Sequence, residues 1–381
     1  MRFFEFKQTI KKPLVEAARI QHAEDIVFWE GSKGAVRALE SLRNLEKGGH
    51  TDVTIKWDGS PSIIFGRNED GEFILTDKSG FVKKGGIERA TSAEQLSSLL
   101  LNRSGGKNKD DPGRIAFAQN MADIFDEYQK AVPKGFEGYF KGDLLYYNTP
   151  PKQDGNFVFK PQLVTYRVKE NSELGSKIAR SKTGVVVHRI INEQGEERPI
   201  DIDLDNFFQG DDVLVFPPVT VQAPAQIDDT KIDQLKAVIS KGAASLDSLL
   251  DAADLKANQL SDLAQILYTY TNSKVDTGLQ GLGEDFFAWL KTSKVSDAKQ
   301  KKILDRVNAH RPGWQALWDV VNGIMAVKDD IIRQFEEQEA DVKASINDQP
   351  GGEGFVLAHP EGDIKLVPRE FFSRANRAVK R

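Results

Sequence analysis

The run Thr54-Ile55-Lys56-Trp57-Asp58-Gly59-Ser60-Pro61 sets an amine, a carboxylate and a glycine side by side. Val53 and Ile55 alternate with polar residues before it, and Ser62-Ile63-Ile64-Phe65-Gly66 follows it. That is a strand, tight turn, strand pattern. A lysine at the last strand position is held by rigid backbone, while Gly59 lets a ligand come close to the chain. An amine attacks an electrophile only after losing its proton, so it needs desolvation or nearby cations. Trp57 and the flanking apolar residues are candidates for that environment. The competing reading is a hairpin with a solvated lysine, and a motif this short does not decide between them.

Four further stretches carry groups of the same kind. Lys78-Ser79-Gly80 offers a cation in a Ser/Gly turn, and Phe136-Glu137-Gly138-Tyr139-Phe140-Lys141-Gly142-Asp143-Leu144 carries a carboxylate on an apolar strand. Its acids are Glu137 and Asp143. Residues 156–168 read as two short strands that carry the aromatics Phe159 and Tyr166. Near the C-terminus, Glu353-Gly354-Phe355-Val356 and Ile364-Lys365-Leu366-Val367 flank a His359–Asp363 turn. A hairpin there puts Glu353 and Lys365 on paired strands able to face one pocket. Carboxylates suit ribose contacts or the hard oxygen shell of Mg²⁺.

The elements that position these groups follow from the pattern along the chain. Residues 1–48 read mainly as helix; within them Glu24-Asp25 reads as a helix start or surface feature, and His22 as a possible ligand contact. Residues 51–86 read as a β-meander, 91–115 as a polar loop or lid, and roughly 114–132 as a helix. Strands recur to residue 216, and Pro217–Ala225 reads as a linker. From about Asp228 the apolar stripes are helical, closing with a long charged helix that ends near Ile346. Strands return at Pro350-Gly351-Gly352.

Composition narrows the chemistry. The chain has 381 residues, no cysteine and a formal charge of −5. Disulfides and thiolate metal sites are excluded, and the five scattered histidines do not have zinc-site spacing. The acidic balance argues against general nucleic-acid affinity, so any such contact needs a local basic face. Candidates are Lys83 and Lys84 and the C-terminal Arg369, Arg374 and Arg377. No apolar run of spanning length occurs and the N-terminal residues lack a signal-peptide pattern, so a cytoplasmic protein without membrane contact is expected.

Taken in order, Lys56-x-Asp58-Gly59, Lys78, Asp143, Tyr166, Glu353 and Lys365 resemble the motifs of the covalent nucleotidyltransferase superfamily of DNA ligases, RNA ligases and mRNA capping enzymes. The resemblance spans roughly residues 50–216 and 350–381. It implies an α+β fold of antiparallel sheets with flanking helices, carrying an all-α helical-bundle insertion. It divides the chain into a first nucleotidyltransferase part (1–222), the helical insertion (223–348) and a closing hairpin with a basic tail (349–381). It also implies that Lys56 takes AMP from ATP, with Lys365 neutralising the α-phosphate. Ile55, Lys56, Asp58, Gly59, Lys78, Asp143, Tyr166, Glu353 and Lys365 would then bind nucleotide, and Asp143 and Glu353 would hold Mg²⁺ or Mn²⁺. Within the resemblance Glu137 is the alternative to Asp143, and Phe159 the alternative to Tyr166 as the aromatic that stacks on the base. Three features depart from the superfamily pattern: Pro61, a single lysine in the last motif, and the insertion itself. The chain ends soon after that motif, which favours the RNA-ligase branch, where an additional OB domain is often missing. The expected partner is therefore RNA in preference to DNA. The chain also resembles uncharacterised tailed-phage proteins, in which case the compartment is the host cytoplasm. A nucleotidyltransferase acting on a protein or small molecule, and a non-catalytic phage binding or structural protein, are the alternatives. The pattern leaves the oligomeric state open. The helical unit is expected to fold as its own bundle, so that residues 226–348 could be replaced by a short linker.

Overall fold

The computed structural model describes residues 21–47, 53–81, 89–106, 109–221, 224–337 and 340–379. Lys83 and Lys84 lie outside them. The protein is mixed α+β; among the described residues there are three mainly antiparallel sheets and two parallel strand pairs.

The first sheet has the order Gln21–His22, Ile364–Leu366, Phe355–Leu357, Val53–Ile55. It thus joins the two ends of the sequence around the Lys56 turn. Its apolar side carries Val53, Phe355, Leu357, Ile364 and Leu366, all buried against a helical core. Strand alternation then turns Thr54, Val356 and Lys365 to the other side. The second sheet runs Glu197–Arg198, Thr183–Ile191, Gly138–Tyr146, Ser62–Arg67, Phe73–Asp77, with Val213–Val215 parallel to Thr183–Ile191. One face of it packs on helices Ala93–Asn102, Pro112–Asp123 and Phe125–Ala131. The third sheet runs Gln349–Pro350, Val342–Ile346, Thr165–Lys169, Asn156–Phe159, Lys152–Gln153.

Three sequence expectations change here. Residues 91–115 are largely helical, not a loop: Ser92 caps Ala93–Asn102 by accepting from Gln95 N at 3.2 Å, and Asp111 caps the next helix with Pro112 at its first turn. Both are strong helix-start signals. The long helix Arg311–Glu337 stops well before Ile346; Val342–Ile346 is a strand paired with Thr165–Lys169. The helical unit is also not a separate bundle. Helix Ile26–Arg43 shares one core with Asp229–Leu249 and Arg311–Glu337, and the first sheet packs on that same core. Removing 226–348 would therefore uncover Ile26, Ala35, Leu39 and Leu42 and delete a strand of the third sheet.

A buried ionic cluster ties these segments together. Lys328 on the long helix reaches both Glu24 oxygens at 3.0 Å, and Arg369 reaches Glu24 at 3.2 Å and Asp25 at 2.7 Å. Asn272 accepts from the same guanidinium at 2.8 Å. Glu24, Asp25, Lys328 and Arg369 are each at most 1% exposed. Glu24-Asp25 does stand at a helix start, with Asp25 at the N-cap of Ile26–Arg43, but it is an interior anchor rather than a surface feature. Arg369 cannot reach a nucleic-acid phosphate from this position. Arg374 donates to Val275 O and Glu370, and Arg377 pairs with Asp276 and donates to Asn272 O. The basic tail therefore docks helix Arg369–Val379 onto the segment around residues 272–276.

Candidate functional site

Lys56 directly follows the strand Val53–Ile55, whose partner Phe355–Leu357 sets Ile55 opposite Phe355. The pairing extends one residue further, with Lys56 N donating to Gly354 O at 2.9 Å. This register brings Lys56 beside Glu353, and Lys56 Nζ forms an ion pair with Glu353 Oε1. Gly354 has φ +97°, and a Cβ there would lie 2.1 Å from Leu366 O. No other residue fits between Glu353 and the hairpin at that approach. Half-buried Ile55 serves the sheet and the adjoining core, donating to Val219 O at 2.9 Å.

The turn after Lys56 is pressed against the second sheet. A Cβ on Gly59 would meet Asp143 Cβ at 2.6 Å. Ser60 N donates to Leu144 O at 2.8 Å, and Leu144 N donates to Pro61 O at 3.0 Å. Asp143 is therefore brought to the Lys56 turn by backbone contact. Its Oδ2 lies 2.9 Å from His188 Nε2. Burial pushes the Asp143 carboxyl up, but the hydrogen bond and charge of His188, together with Ser62 and Lys56, hold it below the usual range. Glu353 moves the other way. Burial raises it, Lys56 opposes, the Asp58 charge adds to the rise and Lys365 opposes again. The two carboxyls near Lys56 are thus shifted in opposite directions, a pattern associated with acid/base sites.

Asp58 and Tyr166 hold the architecture. Asp58 Oδ2 accepts from Leu163 N at 2.9 Å and Val164 N at 3.2 Å, and Asp58 N donates to Tyr166 Oη at 2.6 Å. Tyr166 has no exposed surface, and burial raises its phenol well above the usual value. Its ring packs on Trp57 at 4.7 Å and Phe159 at 5.5 Å, inside the core of the third sheet. Tyr166 therefore does not offer a stacking face, and Phe159 is equally enclosed. Trp57 does lie behind Lys56, but as part of this cluster at 5% exposure.

Of the residues expected in the site, Lys56, Asp58, Gly59, Asp143, Glu353 and Lys365 converge. Lys365 sits opposite Val356 in the hairpin and opposite His22 in the parallel pair. His22 is half-buried, and its imidazole is held well below its usual value by loss of solvent and by Arg369. Lys78 starts the short helix Lys78–Phe81 and is exposed; Glu137 is exposed just before the strand Gly138–Tyr146 begins, six residues from Asp143. His188 is the residue that sequence reading missed. No motif marks it, and only the register of Thr183–Ile191 against Gly138–Tyr146 brings it to Asp143.

Among the described residues no three or more His, Asp or Glu side chains converge on a metal position. Asp143 and Glu353 are two carboxylates already engaged by His188 and Lys56. That set does not make a protein cage; it suits at most a cation that arrives with substrate phosphates. Among the described residues no helix is long and apolar enough to cross a membrane.

No curated protein and no solved structure matches the chain. Residues 18–95 and 107–381 match a family of unknown function (DUF6267), and the chain belongs to that family.

Proposed function

We propose that Lys56 is a nucleotide-accepting amine and that the protein is an ATP-dependent polynucleotide ligase, with RNA the acceptor in preference to DNA. The observation that carries the reading is the Lys56–Glu353 ion pair, which unites residues far apart in sequence at a turn also gripped by the Asp143 strand. In the first step Lys56 Nζ gives its proton to Glu353 and its lone pair to the α-phosphorus of ATP. The P–N bond forms, the bond to the bridging oxygen breaks, and pyrophosphate leaves with that electron pair. A 5′-phosphate oxygen of the acceptor then displaces Lys56, and a 3′-hydroxyl displaces AMP. Lys365 adds positive charge on the same side of the first sheet, the kind of fixed field that stabilises developing phosphate charge. Mg²⁺ is brought by the triphosphate in this reading and would offset its charge. RNA as acceptor, and ATP rather than another nucleotide, rest on the motif resemblance.

The test is incubation with α-³²P-labelled ATP or GTP and Mg²⁺ or Mn²⁺, followed by a denaturing gel. The expected result is an acid-labile, base-stable label on Lys56 that is lost completely in Lys56→Ala. A label on another lysine, or none under any condition, overturns the enzymatic reading and leaves a non-catalytic binding protein.

A further inference from the structure

A cavity of about 800 Å³ lies between the end of helix Arg311–Glu337 and the third sheet. It adjoins the Lys56 site through shared wall residues. A small pocket of about 50 Å³ lined by Lys56, Gly352 and Gly354 shares Glu336 and Ala344 with it. Arg167 and Lys343 line the large cavity from adjacent strands and stand directly opposite each other in register. Like charges in that relation are destabilising. Among the described residues neither side chain has a hydrogen bond or an ion pair, whereas neighbouring Lys169 pairs with Asp341.

The acids in the cavity do not answer these two cations. Glu337 is taken up by Arg333, which also pairs with Asp330. Glu336 accepts from Gly352 N at 3.1 Å, and burial pushes its carboxyl up, towards the neutral form. Asp348 lies in the exposed turn at the rim. What remains is an open cleft with two adjacent cations, next to the small pocket that Lys56 lines. An unopposed cation pair in a cleft is a phosphate-binding arrangement, since a phosphate can accept from both and relieve their repulsion.

We propose that this cleft binds a phosphate group through Arg167 and Lys343, as a site additional to the one formed around Lys56. The strand that carries Lys343 directly follows the helical segment, which the ligase resemblance does not include, so the site is a property of this chain's own architecture. The phosphate can belong to a polyphosphate tail or to a nucleic-acid end, and the probes separate these.

Wild-type protein and Arg167→Gln/Lys343→Gln are titrated with inorganic pyrophosphate, with ATP, and with a ten-nucleotide RNA bearing or lacking a 5′-phosphate. Calorimetry and fluorescence anisotropy are the readouts. The double variant should bind at least one phosphate-bearing probe tenfold or more weakly, and should melt at the same or a higher temperature because a like-charge pair is gone. Loss confined to the 5′-phosphorylated RNA assigns the cleft to the acceptor; loss shared by pyrophosphate and ATP assigns it to the polyphosphate. Binding of pyrophosphate and of RNA is read without any covalent step, so a failure of lysyl-nucleotide labelling leaves the phosphate site standing. The proposal is overturned if the wild type binds none of the probes, if the double variant binds all of them within twofold of wild type, or if the variant melts several degrees lower.

Discussion

Two clusters of carboxylates and cations meet along the strand Ile364–Leu366, and they use the same residue types to opposite ends. In the sealed cluster Glu24, Asp25, Lys328 and Arg369 have at most 1% exposure and close on one another. In the open cluster the side chains of Lys56, Glu353, Asp143 and His188 keep 24%, 17%, 28% and 42% of their surface. The sealed one joins the N-terminal segment, the long helix and the C-terminal helix. Such a cluster brings little net stability over an apolar equivalent, but losing one member strands a charge in the interior. The open one keeps solvent access, so its partners can be exchanged for a ligand. Charge type alone does not separate scaffold from chemistry; exposure and completeness of pairing do.

Breaking one member of each cluster tests this most strongly. Lys328→Met should destabilise the fold by about 3–5 kcal/mol, because Glu24 keeps its burial and loses its main partner. Lys56→Ala should stay within about 1 kcal/mol of wild type, since its carboxylate partner can hydrate or take up a proton. Urea unfolding followed by tryptophan fluorescence measures both. Equal losses would mean that the Lys56–Glu353 pair is as much a structural tie as the sealed cluster.

A milder change sharpens the chemical half of the comparison. Glu353→Gln keeps shape and hydrogen-bonding capacity but removes the proton acceptor beside Lys56. Lysyl-nucleotide formation should fall about 10²-fold or more, within the range for a lost general base, with stability unchanged. The remaining rate should not recover as pH is lowered. Wild-type labelling should decline as pH falls and Glu353, already raised by burial, takes up its proton. A Gln variant with the wild-type rate and pH profile would remove Glu353 from the proton transfer.

The open cluster was the more legible of the two, for a physical reason. Its glycines are forced by close backbone approach, so Gly59 and Gly354 leave a fixed mark next to Lys56 and Glu353 in the sequence. The strand pattern around them also has period two, which made the hairpin readable. His188 carries no such mark, because its partner comes from strand register alone. The sealed cluster misled for the converse reason. Glu24-Asp25 before a helix, and Arg369, Arg374 and Arg377 in a terminal helix, have the local pattern of surface charge. Only long-range packing turns Arg369 inward. Tyr166 illustrates the same limit: an aromatic on a strand reads alike as a stacking platform or as core. The helices at 93–102 and 112–123 were different, since Ser92 and Asp111-Pro112 announce them locally, and the polar composition around them obscured that signal.

The smallest expected effect lies within the sealed cluster, where neighbouring carboxylates respond to pH in opposite directions. For Glu24, burial works against ionisation, but Lys328, His22 and Arg369 outweigh it and hold the carboxyl at about 2. Its stabilisation is present above the ordinary carboxylate range and is lost as pH falls toward 2. For Asp25, burial dominates; Arg369 opposes it, the adjacent Glu24 charge adds to it, and the carboxyl is pushed up to about 6. The folded protein therefore keeps this proton while the unfolded chain, with its ordinary value of 3.8, releases it. Stability from this group falls as pH rises from about 4 to about 6, by on the order of 1–3 kcal/mol, and is level above that. Asp25→Asn keeps an oxygen for Arg369 and cannot titrate. The Glu24 contribution is present in both proteins and largely cancels. The unfolding free energy of the variant minus that of wild type should thus climb between about pH 4 and 6 and then flatten, by urea titration at half-unit steps. Parallel curves would mean that Asp25 is ionised throughout in the fold, with Arg369 paired to two charged carboxylates, and the sealed cluster would then be fully charged rather than partly protonated.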